Sequence, residues 1–281
     1  MQKENNWTYE IHPKSSWLTI NLKEIWEYRD LVWIFVKRDL VSMNKQTILG
    51  PLWFFLAPLF TVFIYTFVFN GIAQISTDGI PAPLFYLAGT TLWGYFQSCF
   101  LGTTSTFSAN AGLFGKVYFP RLVSPISTVM SNLLKFFIQL GLFLCMWGYF
   151  LYKGQIVPNS TLFILPFLIL LLAGISLGLG IIISSLTTKY RDLTYFISFG
   201  ITLLMYVTPI IYPLSTIPVR FKFFIEYNPI TPIIEAFRYG FMGKGNFSLF
   251  DLGYSTIVMT VVLFIGIILF NKTEKTFMDT V

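Results

Sequence analysis

Charged residues are scarce in this chain. Asp, Glu, Lys and Arg make up 11% of its 281 residues, whereas an ordinary soluble domain contains about 25%. Hydrophobic residues reach 55% and aromatic residues 19%, which is more apolar surface than a soluble fold of this size can enclose. These proportions exclude an ordinary soluble enzyme and predict a membrane protein.

Residues that bind metals or act as nucleophiles are equally scarce. Cys99 and Cys145 both lie inside apolar runs, and the single histidine, His12, lies in the polar N-terminal segment. This supply is too small for a Cys/His zinc site or a Ser-His-Asp triad, so we expect neither a metal site nor catalytic residues. The chain also has no Asp-x-Asp motif, which argues against a membrane-embedded glycosyltransferase.

A nucleotide-binding loop is missing as well. The usual phosphate-binding loop is Gly, four residues, then Gly-Lys-Ser/Thr, but the two Gly-Lys pairs here are followed by Val117 and Gly245. We therefore expect no enzyme activity and no cofactor in this chain. If ATP drives the protein, a separate subunit must bind it together with Mg²⁺.

The positive charge of the chain, formally +6, is spread along the sequence instead of forming one basic module. Nucleic-acid binding is therefore not predicted. The first 45 residues contain no apolar stretch followed by a small-residue cleavage site, so we expect no cleaved signal peptide.

Long runs with few charges predict an all-α, polytopic protein with six transmembrane helices, since about 20 apolar residues span a bilayer. The predicted spans are 49–74, 84–107, 123–151, 161–187, 193–212 and 250–271. Six spans place both termini on one side, which carries thirteen Lys and Arg residues against five on the other. Because Lys and Arg in short loops stay in the cytoplasm, we expect a multi-pass protein of the cytoplasmic (inner) membrane with both termini cytoplasmic.

The chain divides into a cytoplasmic N-terminal segment, residues 1–47, and a transmembrane domain, residues 48–281. Within the first, one face of a helix at 22–44 would gather Leu22, Ile25, Trp26, Val32, Trp33, Val36, Leu40 and Met43. This pattern is typical of an amphipathic interface helix on the cytoplasmic leaflet. Arg29 falls in the middle of the apolar face, so either its guanidinium reaches phosphate or a carboxylate, or the helix breaks near it.

Residues 213–249 precede the last span and contain four prolines with Glu226, Glu235 and Arg238 among apolar residues. Since proline stops helices, two short helices separated near Asn228-Pro229 are predicted. A re-entrant hairpin at the outer mouth fits this pattern, and an amphipathic loop is the alternative.

Aromatic residues recur at intervals of seven residues in the first two predicted spans. They are Trp53, Phe60 and Phe67 with Phe63, followed by Tyr86, Trp93, Phe100 and Phe107 with Phe96. Such spacing keeps side chains near one helix face. The two sets either line a corridor for sugar rings or pack against helices and lipid.

Two further features have open interpretations. The turn from Asn110 to Arg121 mixes apolar and basic residues, so it either docks a partner or dips into the membrane interface as a connector. Lys135 is the one ionisable residue in the middle of a predicted span. It either extends to the surface or meets an anionic headgroup or substrate phosphate. A lone cation is a poor proton relay, which argues against an ion-driven flippase.

Six stretches, in this order, are similar to the transmembrane subunit of ABC-2 type polysaccharide exporters, with the O-antigen branch favoured. They are Leu22-Lys-Glu-Ile-Trp-Glu-Tyr-Arg-Asp30, Lys45-Gln-Thr-Ile-Leu-Gly-Pro-Leu-Trp53, Lys116-Val-Tyr-Phe-Pro-Arg121, Tyr190-Arg-Asp-Leu193, Thr208-Pro-Ile-Ile-Tyr-Pro213 and Asn228-Pro-Ile-Thr-Pro-Ile-Ile-Glu-Ala-Phe-Arg238. Each stretch alone is a weak signal, but their order and spacing are specific.

The resemblance implies a homodimer with two ABC ATPase subunits, exporting an undecaprenyl-diphosphate-linked glycan such as O-antigen; export of teichoic acid, capsule or a small lipid or drug is the alternative. It also implies roles for sets of residues. Coupling to the ATPase falls to Asn110, Leu113, Phe114, Lys116, Phe119 and Arg121. The interface helix, with Arg29, Lys37 and Arg38, would attract the diphosphate. The two aromatic sets would line the substrate corridor, and Glu226, Asn228, Pro229, Glu235 and Arg238 would belong to the outer gate.

Overall fold

The structure is a computed structural model that describes residues 22–45, 48–188, 190 and 192–280. Within these ranges the chain is helical and contains no β-strand. The sequence-based expectations for residues 1–21, including the isolated His12, lie outside the described residues.

Eleven α-helices make up the described ranges. They are α1 (Leu22–Glu27), α2 (Arg29–Asn44), α3 (Trp53–Tyr65), α4 (Ala82–Thr104), α5 (Thr106–Phe114), α6 (Val123–Tyr152), α7 (Leu165–Thr187), α8 (Leu193–Val207), α9 (Val219–Glu226), α10 (Thr231–Met242) and α11 (Leu249–Thr280). Short helical turns extend α3 at both ends, over Gly50–Leu52 and Thr66–Ile72, and precede α7 over Ser160–Ile164.

Four helical segments are long and apolar enough to cross a membrane. They are Gly50–Ile72, Val123–Tyr152, Ser160–Thr187 and Leu249–Glu274, which contain α3, α6, α7 and α11. This finding is consistent with a polytopic membrane protein. The remaining two predicted spans correspond to α4 and α8, which are less apolar and shorter, respectively.

The two remaining helices differ from the other four for physical reasons. Most side chains of α4 are buried against neighbouring helices, so this helix contains Thr, Gln and Gly residues that lipid would not favour. Helix α8 ends at Val207, five residues before the predicted end of its span. The next residue, Thr208, precedes Pro209 and is extended, with φ −94° and ψ 140°, as the ring of a following proline requires.

The N-terminal helix is broken at Tyr28, between α1 and α2, so the structure follows the alternative in which the helix breaks near Arg29. Phe35 and Val36 are buried, and α2 packs along α6. Two predicted members of the apolar face, Trp26 and Trp33, are exposed. The packed face is therefore rotated from the predicted one, because contact with α6 selects which side of the helix is covered.

The segment before the last long helix contains two short helices, α9 and α10, with a break at 227–230. This break is where the Asn228-Pro229 pair predicted it. Pro232 lies in the first turn of α10, where its missing N–H has no intrahelical partner to lose.

Buried side chains form two clusters at different positions along the bundle. One cluster, which we call the basal cluster, contains Phe35 of α2, Phe107 of α5, Phe270 of α11 and Phe119, which precedes α6. The end of the bundle where it lies is the basal end. The opposite, distal end joins the start of α4, residues 208–213, α10 and the start of α11. Because Phe35 and Phe270 lie in one cluster, the N-terminal helix α2 and the end of the last helix lie at the same, basal end.

Helices α7 and α11 approach each other at glycines. A Cβ atom added to Gly178 would lie 2.8 Å from the backbone nitrogen of Leu263, and one added to Gly266 would lie 2.8 Å from the carbonyl oxygen of Gly178. Small residues at such contacts let two backbones pack closely where lipid offers no hydrophobic driving force. The α7–α11 pair therefore depends on glycine at these positions.

We expect the substitution Gly178→Val to lower the free energy of unfolding by about 1–3 kcal/mol, because the new side chain overpacks a backbone contact. The exposed Gly141 of α6 is a matched control, since a Cβ atom there meets nothing within 4 Å. Thermal unfolding of the purified protein in detergent compares Gly178→Val with Gly141→Val. Equal melting temperatures for these two variants would contradict the proposed role of the contact.

Candidate coupling segment and distal polar cluster

The predicted coupling segment, residues 110–121, begins in the second half of α5 and continues to the start of α6 at the basal end. The side-chain amide of Asn110 donates to the carbonyl oxygen of Thr106 and to Ser124 Oγ, each at 2.9 Å, which ties α5 to α6. Phe114 and Phe119 are buried and Leu113 is half-buried. The two phenylalanines are therefore not exposed docking residues, because the basal cluster encloses their rings.

A continuous series of aromatic contacts connects this segment with α2 and the last helix. Ring centroids are 5.7 Å apart for Phe35 and Phe119, 5.6 Å for Phe119 and Phe114, 6.1 Å for Phe114 and Phe107, and 4.6 Å for Phe107 and Phe270. Such distances are typical of favourable ring pairs. A displacement of the coupling segment would therefore shift side chains that contact both α2 and α11.

Arg121 holds the end of the segment to α11. Its guanidinium donates to the carbonyl oxygen of Glu274 at 2.6 Å, lies 4.0 Å from the carboxylate of the same residue and stands 5.4 Å from the ring of Phe114. Burial lowers the pKa of Arg121, and the Glu274 carboxylate raises that pKa. Arginine keeps its charge in such a site, so Arg121 clamps the segment to the last helix.

The exposed part of the segment consists of Lys116 and two residues that the sequence pattern did not single out. Val117 is 55% and Tyr118 is 68% exposed, and Lys116 is also exposed. More than half of the residues here are apolar or aromatic, so the sequence pattern alone could not distinguish the enclosed side chains from the exposed ones. The exposed side chains are those of Lys116, Val117 and Tyr118, and the Tyr118 hydroxyl donates to the Glu24 carboxylate of α1 at 3.5 Å.

The two predicted aromatic sets lie in different environments. The α3 set and its flanking residues, Trp53, Phe60, Phe63 and Phe67, are 50–69% exposed, whereas the α4 set, Tyr86, Trp93, Phe96 and Phe100, is at most 7% exposed. The buried set cannot contact a glycan in the arrangement that the structure describes, and it fits the interpretation as helix packing. Of the two sets, only the α3 set is exposed at the surface.

The cations of the N-terminal helices are exposed. Arg29 lies 4.0 Å from Asp30 and 5.9 Å from the centre of the Trp26 ring, and Lys37 is exposed. Arg38 forms a 2.8 Å ion pair with Asp39, whose carboxylate also accepts a 3.3 Å hydrogen bond from Ser131 Oγ on α6. Through Asp39, Arg38 therefore contributes to the contact between α2 and α6. The side chains of Arg29 and Lys37 are exposed and, within the described ranges, form no hydrogen bond or ion pair with α6 that would hold them in place.

Lys135 is half-buried on α6 and donates from Nζ to Asn132 Oδ1 at 2.6 Å. Asn132 in turn donates to the carbonyl oxygen of Thr128 at 3.0 Å. The ammonium group is thus held by an amide on its own helix. This arrangement is compatible with both interpretations of Lys135.

Three predicted gate residues form a cluster at the distal end, which we call the distal polar cluster: Asn228, Glu235 and Arg238. Arg238 and Glu235 form a 3.1 Å ion pair with side chains 1% and 5% exposed. The Arg238 guanidinium also donates to the carbonyl oxygen of Ile210 at 3.0 Å and lies 3.7 Å from the centre of the Phe85 ring. One charged side chain of α10 therefore holds both α4 and the stretch after α8.

The partners of Glu235 and Asn228 extend this cluster. The second carboxylate oxygen of Glu235 accepts from the backbone N–H of Asn246 at 3.0 Å. The amide of Asn228 donates to Thr208 Oγ1 at 2.9 Å. Gly89 of α4 leaves room for this arrangement, because a Cβ atom there would lie 3.3 Å from the Arg238 guanidinium.

The other two predicted gate residues lie beside the cluster. The carbonyl oxygen of Pro229 accepts from Ser255 Oγ at 2.8 Å, which connects the break between α9 and α10 with α11. Glu226 is half exposed and forms a 3.4 Å pair with Lys222 on α9. Among the described residues no group of His, Cys, Asp and Glu side chains is arranged to hold a metal ion.

We expect Arg238→Met to lower the free energy of unfolding by about 3–5 kcal/mol, because it leaves the Glu235 carboxylate buried without its cation. Adding Glu235→Leu should recover much of that loss, since an apolar pair needs no compensation. Chemical unfolding of the purified variants measures both effects.

The exposed pair of Lys222 and Glu226 supplies the control for this experiment. Lys222→Met breaks an ion pair that water already screens, so it should cost less than about 1 kcal/mol. If Arg238→Met proved as stable as Lys222→Met, the buried ion pair would not be needed to stabilise the distal end.

Comparison with known proteins identifies relatives over most of the chain. The family model described as ABC-2 type transporter matches residues 30–242. An "O-antigen export system permease protein RfbA" of Klebsiella pneumoniae is 32% identical over 253 residues, which are 89% of this chain and 94% of the relative. A protein of the same description from Myxococcus xanthus is 29% identical over 77% of this chain and 82% of its own length.

A more distant relative has a related description. The "Polysialic acid transport protein KpsM" of Escherichia coli is 25% identical over 81% of this chain and 87% of its own length. The region matched by the family model contains α3 to α10, with the coupling segment and the distal polar cluster. The chain therefore belongs to the ABC-2 type transporter family.

Proposed function

We propose that this protein is the permease subunit of an ATP-driven ABC exporter that moves undecaprenyl-diphosphate-linked O-antigen across the cytoplasmic membrane. The similarity to O-antigen export permeases along almost the whole chain carries the proposal. The missing phosphate-binding loop supports a separate ATPase. Similarity to a polysialic acid transport protein keeps capsule-type glycans as the second candidate cargo, ahead of teichoic acid and small lipids or drugs.

The proposal includes six membrane crossings, with α4 and α8 added to the four long apolar helices. Helix α4 needs little contact with lipid because other helices cover it. An even number of crossings agrees with the position of α2 and the end of α11 at the same, basal end. Since this end carries Lys116, Arg121 and Lys272, the positive-inside rule assigns it to the cytoplasm, and the α9–α10 hairpin becomes the outer gate.

A homodimer would explain the exposed face of α3. In the most apolar stretch of Gly50–Ile72 only 6% of the residues are buried, against 39% in that of Ser160–Thr187. Helix α8 likewise exposes Tyr195, Phe196 and Phe199. Two copies that meet around these helices would enclose a corridor lined by the α3 aromatics, where flat ring faces suit sugar rings.

The exposed cations of α1 and α2 support a site for the diphosphate of the cargo near the cytoplasmic surface. Guanidinium and ammonium groups form strong hydrogen bonds with phosphate oxygens. Arg29 and Lys37 are the proposed contacts, because Arg38 is held by Asp39 at 2.8 Å, whereas Arg29 is 4.0 Å from the Asp30 carboxylate.

The surface formed by Lys116, Val117 and Tyr118 is the proposed docking site of the ATPase. The aromatic series from Phe119 to Phe35 and Phe270 would carry its displacement to α2 and α11. A partner shifts the permease between two arrangements only through contacts that differ between them.

Export from proteoliposomes tests the function. The permease reconstituted with its ATPase and lipid-linked O-antigen should transport the glycan only when ATP is present. The double variant Phe60→Ala/Phe63→Ala should slow export about fivefold, since lost aromatic contacts of ~1 kcal/mol change a rate by that factor, while ATP hydrolysis continues. Arg29→Gln should slow export when the lipid-linked glycan is limiting.

Phe163→Ala is the control for the corridor, because Phe163 is at least as exposed but lies outside α3. Transport without the ATPase would refute the proposed exporter. Unchanged export by the double variant would assign the α3 aromatics to packing, and unchanged export by Arg29→Gln would remove Arg29 from the diphosphate site.

Copurification tests the docking surface and the stoichiometry. Val117→Ser/Tyr118→Ser should release the ATPase in a pull-down, because the variant removes the exposed apolar side chains while the buried Phe114 and Phe119 are kept. Tyr152→Ser, which changes an exposed tyrosine at the other end of α6, should retain it. Light scattering of the intact complex should give two permeases and two ATPases. Retention of the ATPase by the docking variant would contradict the assignment.

A further inference from the structure

A cavity of about 670 Å³ lies between the α9–α10 hairpin and the start of α11. Its apolar wall contains Leu214, Leu249, Phe250 and Ile257, and Gly253 leaves space beside the helix backbone. Two predicted gate residues, Glu226 and Glu235, also line the cavity, but the proposed exporter function assigns it no ligand.

The polar part of the cavity is aromatic and acidic. The rings of Tyr227 and Tyr254 are 6.1 Å apart, and the Tyr254 hydroxyl donates to the carbonyl oxygen of Tyr227 at 2.9 Å. Asp251 lies one helical turn before Tyr254, is exposed, and has no ion-pair partner among the described residues. No Lys or Arg lines the cavity. Carboxylates beside tyrosine rings attract an ammonium group and disfavour an anion.

One side of the cavity is exposed at the surface of the bundle. Leu249, Phe250 and Ile257 are exposed on α11, one of the helices long enough to cross the membrane. At the rim, Lys222 lies 3.4 Å from Glu226. The site thus combines an interior of carboxylate and tyrosine side chains, one cation at its edge and an apolar wall beside it.

These three parts match the three parts of one class of molecule. We propose that the cavity binds the headgroup of a zwitterionic phospholipid with a primary ammonium, of the phosphatidylethanolamine class. The ammonium lies at Asp251 and the tyrosine rings, the phosphate at Lys222, and the acyl chains along the exposed face of α11. The bound lipid bridges α9 and α11, so the outer hairpin is held to the last helix by the surrounding membrane.

The position of the cavity favours lipid over cargo. Helix α11 packs on α7 and α10, whereas the exposed α3 packs on α4 and α6. The cavity is therefore on a different side of the bundle from the helix that presents the aromatic corridor residues.

Native mass spectrometry of the permease–ATPase complex, released from nanodiscs, tests the proposal. Discs of equal acyl composition contain phosphatidylethanolamine or phosphatidylglycerol as the probe. The wild-type complex should retain phosphatidylethanolamine in preference. Asp251→Asn should reduce its retention roughly fivefold, and Gly253→Trp, which fills the cavity from a position with free space, should abolish it.

Gly148→Trp is the matched control, because Gly148 lies near the distal end of α6 and a Cβ atom added there also meets nothing within 4 Å. It should retain the lipid as wild type does, and all variants should keep the same melting temperature. Equal retention of both lipids, or unchanged retention in Asp251→Asn and Gly253→Trp, overturns the proposal. If the complex retained an amino-sugar oligosaccharide and no phosphatidylethanolamine, the cavity would be a cargo site, and the lipid proposal would be overturned. The readout needs no transport, so it is independent of the exported glycan.

Discussion

A guanidinium enclosed by apolar helices is stable only beside a carboxylate and hydrogen-bond acceptors. Arg238 meets this requirement with Glu235 and the carbonyl oxygen of Ile210. The consequence is geometric, because helix α10, the stretch after α8 and the start of α4 must all lie where one side chain can reach them. The hairpin of α9 and α10 therefore has a defined position at the distal end.

The basal end is held by a different interaction. Aromatic rings there contact one another in series, and Arg121 connects the same region with the end of α11. Ring contacts are individually weak and tolerate small displacements, whereas a buried ion pair does not. The two ends of the bundle are therefore held differently, the basal end by ring contacts and Arg121 and the distal end by a buried ion pair.

Several elements followed directly from local sequence. The long helices α6, α7 and α11 match the predicted apolar runs, since hydropathy is a property of consecutive residues. The break between α9 and α10 lies where prolines put it. The end of α8 at Val207 was missed, although Pro209 supplied the signal, because the apolar run continues past that proline.

Membrane class, helical content and family were thus determined by the sequence itself, through composition, proline positions and an ordered set of short motifs. Tertiary structure decided which of many similar aromatics are covered, so that Phe114 and Phe119 are enclosed while Tyr118 is exposed, and α4 is covered while α3 is not. It also decided that Arg238 binds an oxygen 28 residues away in the chain. The physical reason is that an apolar side chain has the same local pattern whether another helix or lipid covers it, and only contacts between distant segments distinguish the two.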